Sequence, residues 1–140
     1  MSEPIGNSAT RFPEMTRFVA PIAEALPQLL PSSPLFVALV TRSYLHDLEA
    51  LRLLLPQSLN YLGMIGSHRR IHSVFQILLQ QGLTKEQLSR IHAPIGLDLG
   101  ALTPAEIAIS ITAELIQVRR QGPSARHVTQ LEPQLFQRYE

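Results

Sequence analysis

Cysteine is absent from the chain. That excludes a disulfide framework, a thiolate zinc site and any nucleophilic or persulfide-carrying thiol. Charge is also scarce: only 16% of residues are Asp, Glu, Lys or Arg, and the twelve Lys and Arg are scattered along a chain of net charge +1. Scattered, nearly balanced charge argues against nucleic acid as a partner. No apolar run reaches the roughly 18 residues of a membrane span, and the N-terminus lacks a basic-then-apolar leader pattern, so no membrane association and a cytoplasmic setting are expected. The Gly-x-Gly-x-x-Gly turn, the Walker lysine loop and the Gly-x-Ser-x-Gly elbow are missing too. An NAD(P)-dependent oxidoreductase is therefore the weakest of the function classes considered.

What is abundant is apolar surface. Hydrophobic residues make up 45% of 140 positions, more than a domain of this size usually hides, which points to self-association. The pattern of those residues is that of an α/β chain. Prolines from Pro13 to Pro34 cut residues 1–34 into an irregular segment, with a strand expected near Thr16 to Ala20 and a short helix near Ile22 to Leu30. Leu35 to Thr41 is a nearly continuous apolar run, suited to a strand buried on both faces of a parallel sheet. Leu45, Leu48, Leu51, Leu54 and Leu55 follow at helical spacing until Pro56. Leu59 to Ile65 reads as a second buried strand. A helix then presents Ile71, Val74, Phe75, Leu78 and Leu79 on one face and ends at Gly82.

Strand, helix, strand, helix is the unit of a parallel sheet with right-handed crossovers. Thr84 to Gln87 has the form of a capping box, and Thr103-Pro104-Ala105-Glu106 opens a last long helix to about Arg120 with a cap, a first-position proline and a reciprocal glutamate. Residues 121–140 form a polar tail. The fold expected is a partial Rossmann-like, three-layer α/β domain over residues 35–120, with a small, mostly parallel sheet flanked by helices.

Ligands on such sheets gather at the carboxyl ends of the strands. Two segments occupy that edge: Thr41-Arg42-Ser43-Tyr44-Leu45-His46-Asp47, and Gly66-Ser67-His68-Arg69-Arg70. Backbone N–H groups at a helix start lack partners and the helix dipole is positive there, so three basic residues at that point add charge of the wrong sign unless an anion joins them. Ser67 therefore either caps the helix or helps hold an anion, and local residues do not separate the two. Asp47 is either an acid interacting with its own helix dipole or part of a crevice. His46 is either a general base or a surface histidine. On the last helix Glu106, Ser110 and Glu114 share a face, which is either solvated or turned toward a site or a partner subunit. Asp98, between two glycine turns, is similarly open. His68 and His72 have metal-ligand spacing but no third ligand to match, so no metal site is assigned, and no catalytic set is assigned.

Taken in order, Thr41 to Leu51, Tyr61 to Ser67, Ile91 to Gly100, and Thr103 to Ser110 with Ala113-Glu114 make the chain resemble the C-terminal, Rossmann-like domain of the XdhC/CoxI family. These are accessory proteins of molybdenum hydroxylases such as xanthine dehydrogenase. Order and spacing match throughout residues 35–120, and Arg11-Phe12-Pro13 continues the match upstream. The resemblance implies a non-enzymatic factor that binds the molybdenum cofactor, protects it while a cysteine desulfurase installs its terminal sulfur, and delivers it to the apo-hydroxylase. It also implies that Gly66 and Ser67, with Arg69, hold the phosphate-bearing end, while Thr41, Arg42, His46, Asp47, Asp98 and Glu106 shape the crevice. Two departures accompany it. The family's cysteine-bearing N-terminal domain and first glycine-rich turn lie outside this chain, and His68 stands where relatives commonly carry a basic residue. Those departures motivate the alternative of an oligomerisation or interaction domain that has lost ligand binding, and the expectation of a homo-oligomer or a partner subunit that supplies the missing half.

Overall fold

A computed structural model describes residues 10–31 and 34–122. The chain divides into two compact units, Met1–Ser33 and Pro34–Glu140. Within the first, helix α1 spans Ile22–Leu29, with Ala25 and Leu26 buried. The strand expected near Thr16 to Ala20 does not form: those residues are irregular. A strand needs a neighbouring ladder, and β-branched or aromatic residues alone do not make one.

The second unit is the α/β body, a partial Rossmann-like fold. Strand β1 (Phe36–Leu39), helix α2 (Tyr44–Leu54), strand β2 (Tyr61–Met64), helix α3 (His68–Gln80), the short α4 (Lys85–Ser89) and α5 (Pro104–Gln121) follow in order. β1 and β2 pair in parallel, with Phe36 opposite Tyr61 and Leu39 opposite Met64. A third extended segment joins β2 through a parallel bridge between Gly63 and His92. His92 N–H donates to Leu62 (2.8 Å), Met64 N–H to His92 (3.0 Å) and Ile95 N–H to Met64 (3.0 Å). β2 is thus central, and all four of its residues are buried.

β1 departs from expectation. Among the described residues it is an edge strand; Leu39 is buried, yet Ala38 is exposed and Val40 is 61% exposed. An apolar run reports the material of a strand, not whether a neighbour covers it. Leu45 likewise turns outward, while Leu48, Leu51, Leu54 and Leu55 enter the core. On α3 the buried residues are Ile71, Val74, Phe75 and Leu78. Both capping boxes form, at Thr84 with Gln87 and at Thr103 with Glu106. No helix among the described residues is long and apolar enough to cross a membrane. The tail 123–140, including Leu131, Leu135 and Phe136, lies outside the described residues.

Candidate functional site

Because β1 and β2 are parallel neighbours, the helices that follow them start at one edge of the sheet. Ser43 precedes α2 but makes no side-chain cap. Ser67 precedes α3, and its hydroxyl accepts from Arg70 N–H at 3.2 Å. The cap reading of Ser67 is therefore realised, although one bond satisfies only one of the open N–H groups at that helix start.

Between the two helix starts lies a buried charge pair. The Asp47 side chain is wholly inaccessible, while that of Arg70 is 25% exposed. Arg70 Nε donates to Asp47 Oδ2 at 3.0 Å, and its Nη2 donates to the same oxygen. Nη2 also lies 3.1 Å from the Thr41 carbonyl oxygen and 3.2 Å from Thr41 Oγ1. The Thr41 hydroxyl in turn donates to Asp47 Oδ1 at 2.6 Å. A buried carboxylate is tolerable only when its lone pairs are used and its charge is opposed, and here both conditions hold. The last turn of the β1 loop, the first turn of α2 and the first turn of α3 are thereby clamped together.

Around this clamp, Arg42, His46, Ser67, His68 and Arg69 are exposed, Gly66 is half-buried, and Thr41 is half-buried. Asp47 is cancelled by Arg70, so the exposed charge at this edge is positive. Of the residues singled out from the sequence, Thr41 and Asp47 are joined through Arg70 to the helix start that Ser67 caps, and Arg42, His46, Gly66 and Arg69 stand on the same two loops and helix starts. Asp98 lies exposed in the loop before α5. Glu106 serves the start of that helix, its Oε1 accepting from the N–H groups of Leu102 (3.0 Å) and Thr103 (2.9 Å). Those backbone bonds, Thr103's foremost, hold its carboxyl below the ordinary range.

Arg70 was legible only as one member of a basic run. A second set joins Glu114, which the polar stripe on α5 already offers, to Tyr61 and His92, which no motif singles out. Glu114 is 3% exposed and Ser110 4% exposed, so the polar stripe on α5 faces inward from Ser110 on. The Tyr61 hydroxyl donates to Glu114 Oε1, Gly96 N–H donates to the same oxygen at 3.1 Å, and His92 Nδ1 lies 3.6 Å from it. The Tyr61 and His92 rings stack with centroids 4.6 Å apart. Burial pushes the Glu114 carboxyl up, but the neighbouring His92 imidazole and the hydrogen bonds from Tyr61 and Gly96 together outweigh it and leave the net shift downward. Burial first, and Glu114 second, push the Tyr61 phenol upward. Two glycines make this possible. A Cβ on Gly63 would lie 2.5 Å from the Tyr61 hydroxyl and 2.7 Å from Ile95, and one on Gly96 would lie 2.5 Å from Ser110 Oγ. The cluster fastens α5 to β2 and to the third extended segment. The sequence signal for it was a carboxylate one helical turn beyond Ser110 amid apolar neighbours.

A parallel α/β body with two helix starts and surplus positive charge at its carboxyl edge belongs to the Rossmann-like class. More narrowly, a family model described as the XdhC Rossmann domain matches residues 2–115, and the chain belongs to that family. It is 31% identical over 116 residues, 81% of this chain and 32% of the relative, to a Bacillus subtilis protein named as a probable xanthine dehydrogenase subunit. It is 40% identical over 88 residues, 63% of this chain and 16% of the relative, to the uncharacterized protein YqeB of Escherichia coli. A crystal structure titled as a xanthine dehydrogenase from Bacillus halodurans superposes on 96% of this chain and 37% of that one, with a TM-score of 0.70 and 31% identity. The chain thus spans well under half the length of each of these relatives.

Proposed function

We propose that this chain acts as a non-enzymatic accessory domain in the maturation of a xanthine dehydrogenase-type molybdenum hydroxylase, binding molybdenum cofactor or helping to deliver it. The observation that carries this reading is the paired helix starts at the carboxyl edge, exposed Arg42 and Arg69 beside them and Asp47 neutralised behind them. Family membership supplies the context. Molybdenum cofactor, here a cargo, is anionic through its phosphate and oxo groups. Backbone N–H groups after Ser67, with Arg69, Arg42 and His46, suit the anionic end. Thr41 and Asp47 act from beneath by setting the loops in place. The apo-hydroxylase and a cysteine desulfurase are the partners this role requires.

The test is molybdopterin retained on purification or taken up on mixing, read as fluorescence after oxidation. Ser67→Ala combined with Arg69→Ala is expected to weaken its binding by roughly 1 to 3 kcal/mol, the scale of charged hydrogen bonds, without unfolding the domain. A protein that takes up none, even in the presence of its hydroxylase, overturns the cofactor role. Uptake that the double substitution leaves unchanged moves the site elsewhere and reduces Ser67 to a cap.

A further inference from the structure

Helix α5 has two unlike faces. Ser110, Glu114 and Val118 are buried at four-residue spacing. On the other side Ile109 is 62% exposed and Ile116 50% exposed, with Ala105, Ala108 and Thr112 also exposed around them. Ile109 and Ile116 stand two turns apart, so they form one stripe. The ends of the helix carry opposite charge, with Glu106 in the first turn and Arg119 and Arg120 in the last. Because Glu106 and Arg120 are almost four turns apart, they sit on the same flank of that stripe.

We propose that this face of α5 pairs with the same face of a second copy of the chain, antiparallel, about a twofold axis beside Thr112. In that register Ile109 of each copy meets Ile116 of the other, the small side chains of Thr112 and Ala113 lie at the crossing, and Glu106 of each copy faces Arg120 of the other. The face is complementary to itself only in this orientation. A parallel pairing sets Arg119 and Arg120 against their own counterparts, and like charges so placed repel. The capping bonds use Glu106 Oε1, which leaves its second oxygen for an arginine. The isoleucines provide the apolar centre, and the charged pairs set direction more than affinity.

The experiment uses the full chain. Sedimentation at micromolar concentration is expected to show a dimer. Ile109→Glu with Ile116→Glu is expected to raise its dissociation constant by at least about tenfold while helical content is unchanged. The absence of native cysteine allows a geometric check. Oxidised Thr112→Cys is expected to run as a covalent dimer. Arg120→Cys, whose two copies stand about 22 Å apart along the helix axis in this register, is not. A monomeric parent, a dimer indifferent to the glutamates, or Arg120→Cys cross-linking as readily as Thr112→Cys overturns the proposal. A monomeric parent further makes the chain's own C-terminal segment the candidate cover for the face. If the double-glutamate chain does not fold, the two cysteine variants decide alone.

Discussion

Replacing Arg70 by leucine removes both guanidinium donors from a carboxylate that has no access to water. What remains to Asp47 is the Thr41 hydroxyl at 2.6 Å. Breaking a buried ion pair by deleting one partner costs about 3 to 5 kcal/mol, because the survivor is left charged and desolvated. Arg70 is 25% exposed, so water reaches the rim of the pair and the lower end applies, about 3 kcal/mol. With a urea slope of about 2 kcal/mol per molar, typical of a small domain, the midpoint falls by about 1.5 M at constant slope. The neighbouring Arg69 is the control, since it is exposed, and Arg69→Leu is expected to change stability by less than about 0.5 kcal/mol. Asp47→Leu together with Arg70→Leu is expected to recover much of the loss, since an apolar pair leaves no charge stranded. The reasoning is refuted if Arg70→Leu unfolds within about 0.5 kcal/mol of the parent, or if the double substitution is worse than Arg70→Leu alone.

Two further outcomes concern the buried end of α5. Gly96 has φ of 95°, and a Cβ there would lie 3.1 Å from the Ser110 carbonyl carbon and 3.2 Å from Ile111 N, so Gly96→Ala is expected to destabilise by about 2 to 4 kcal/mol in urea melts. Glu114 is held below its ordinary value of 4.5; the unfolded chain therefore takes up the proton first, and stability present above about pH 4.5 is lost as pH falls through the lower folded value. Glu114→Gln is expected to flatten that acid limb in melts run from pH 7 to pH 3, and an unchanged limb counts against the cluster as its source.

The order of elements was legible because it rests on local chemistry. Thr84 with Gln87 and Thr103 with Glu106 announce helix starts whatever surrounds them, and Pro56 and Gly82 stop helices for reasons contained in their own backbones. Burial was less legible because it depends on neighbours. Val40 and Leu45 are as apolar as Leu39 and Leu48, and only the edge position of β1 and the facing of α2 separate the exposed pair from the buried one. The same limit governed the site. That Thr41, Asp47 and the Gly66-Ser67 turn converge follows from parallel strands, since consecutive loops share an edge. That Asp47 binds Arg70 rather than a ligand does not, because it turns on which of three consecutive basic side chains points inward. Tyr61, His92 and Glu114 come from three separate elements, and no spacing rule joins residues across a bridge and a helix.

The inward turn of Arg70 bears directly on the anion site proposed for this edge. Two helix starts contribute partial positive charge on a surface that also carries Asp47, and an exposed carboxylate there would oppose any phosphate. Burying Asp47 beneath Thr41 and cancelling it with Arg70 removes that opposition. The same bonds fix the loop after β1 against the start of α3, so Arg42 and Arg69 are carried on segments already held in register. Rigid placement matters more than an extra positive charge, because a preorganised donor set loses less entropy when the anion arrives. Removing Arg70 should therefore weaken anion binding beyond its own charge, and Arg70→Lys, which keeps the charge but not the fork that reaches both Asp47 and Thr41, separates the two contributions. If Arg70→Lys binds anion as the parent does, charge alone suffices; a loss close to that of Arg70→Leu assigns the effect to the clamp.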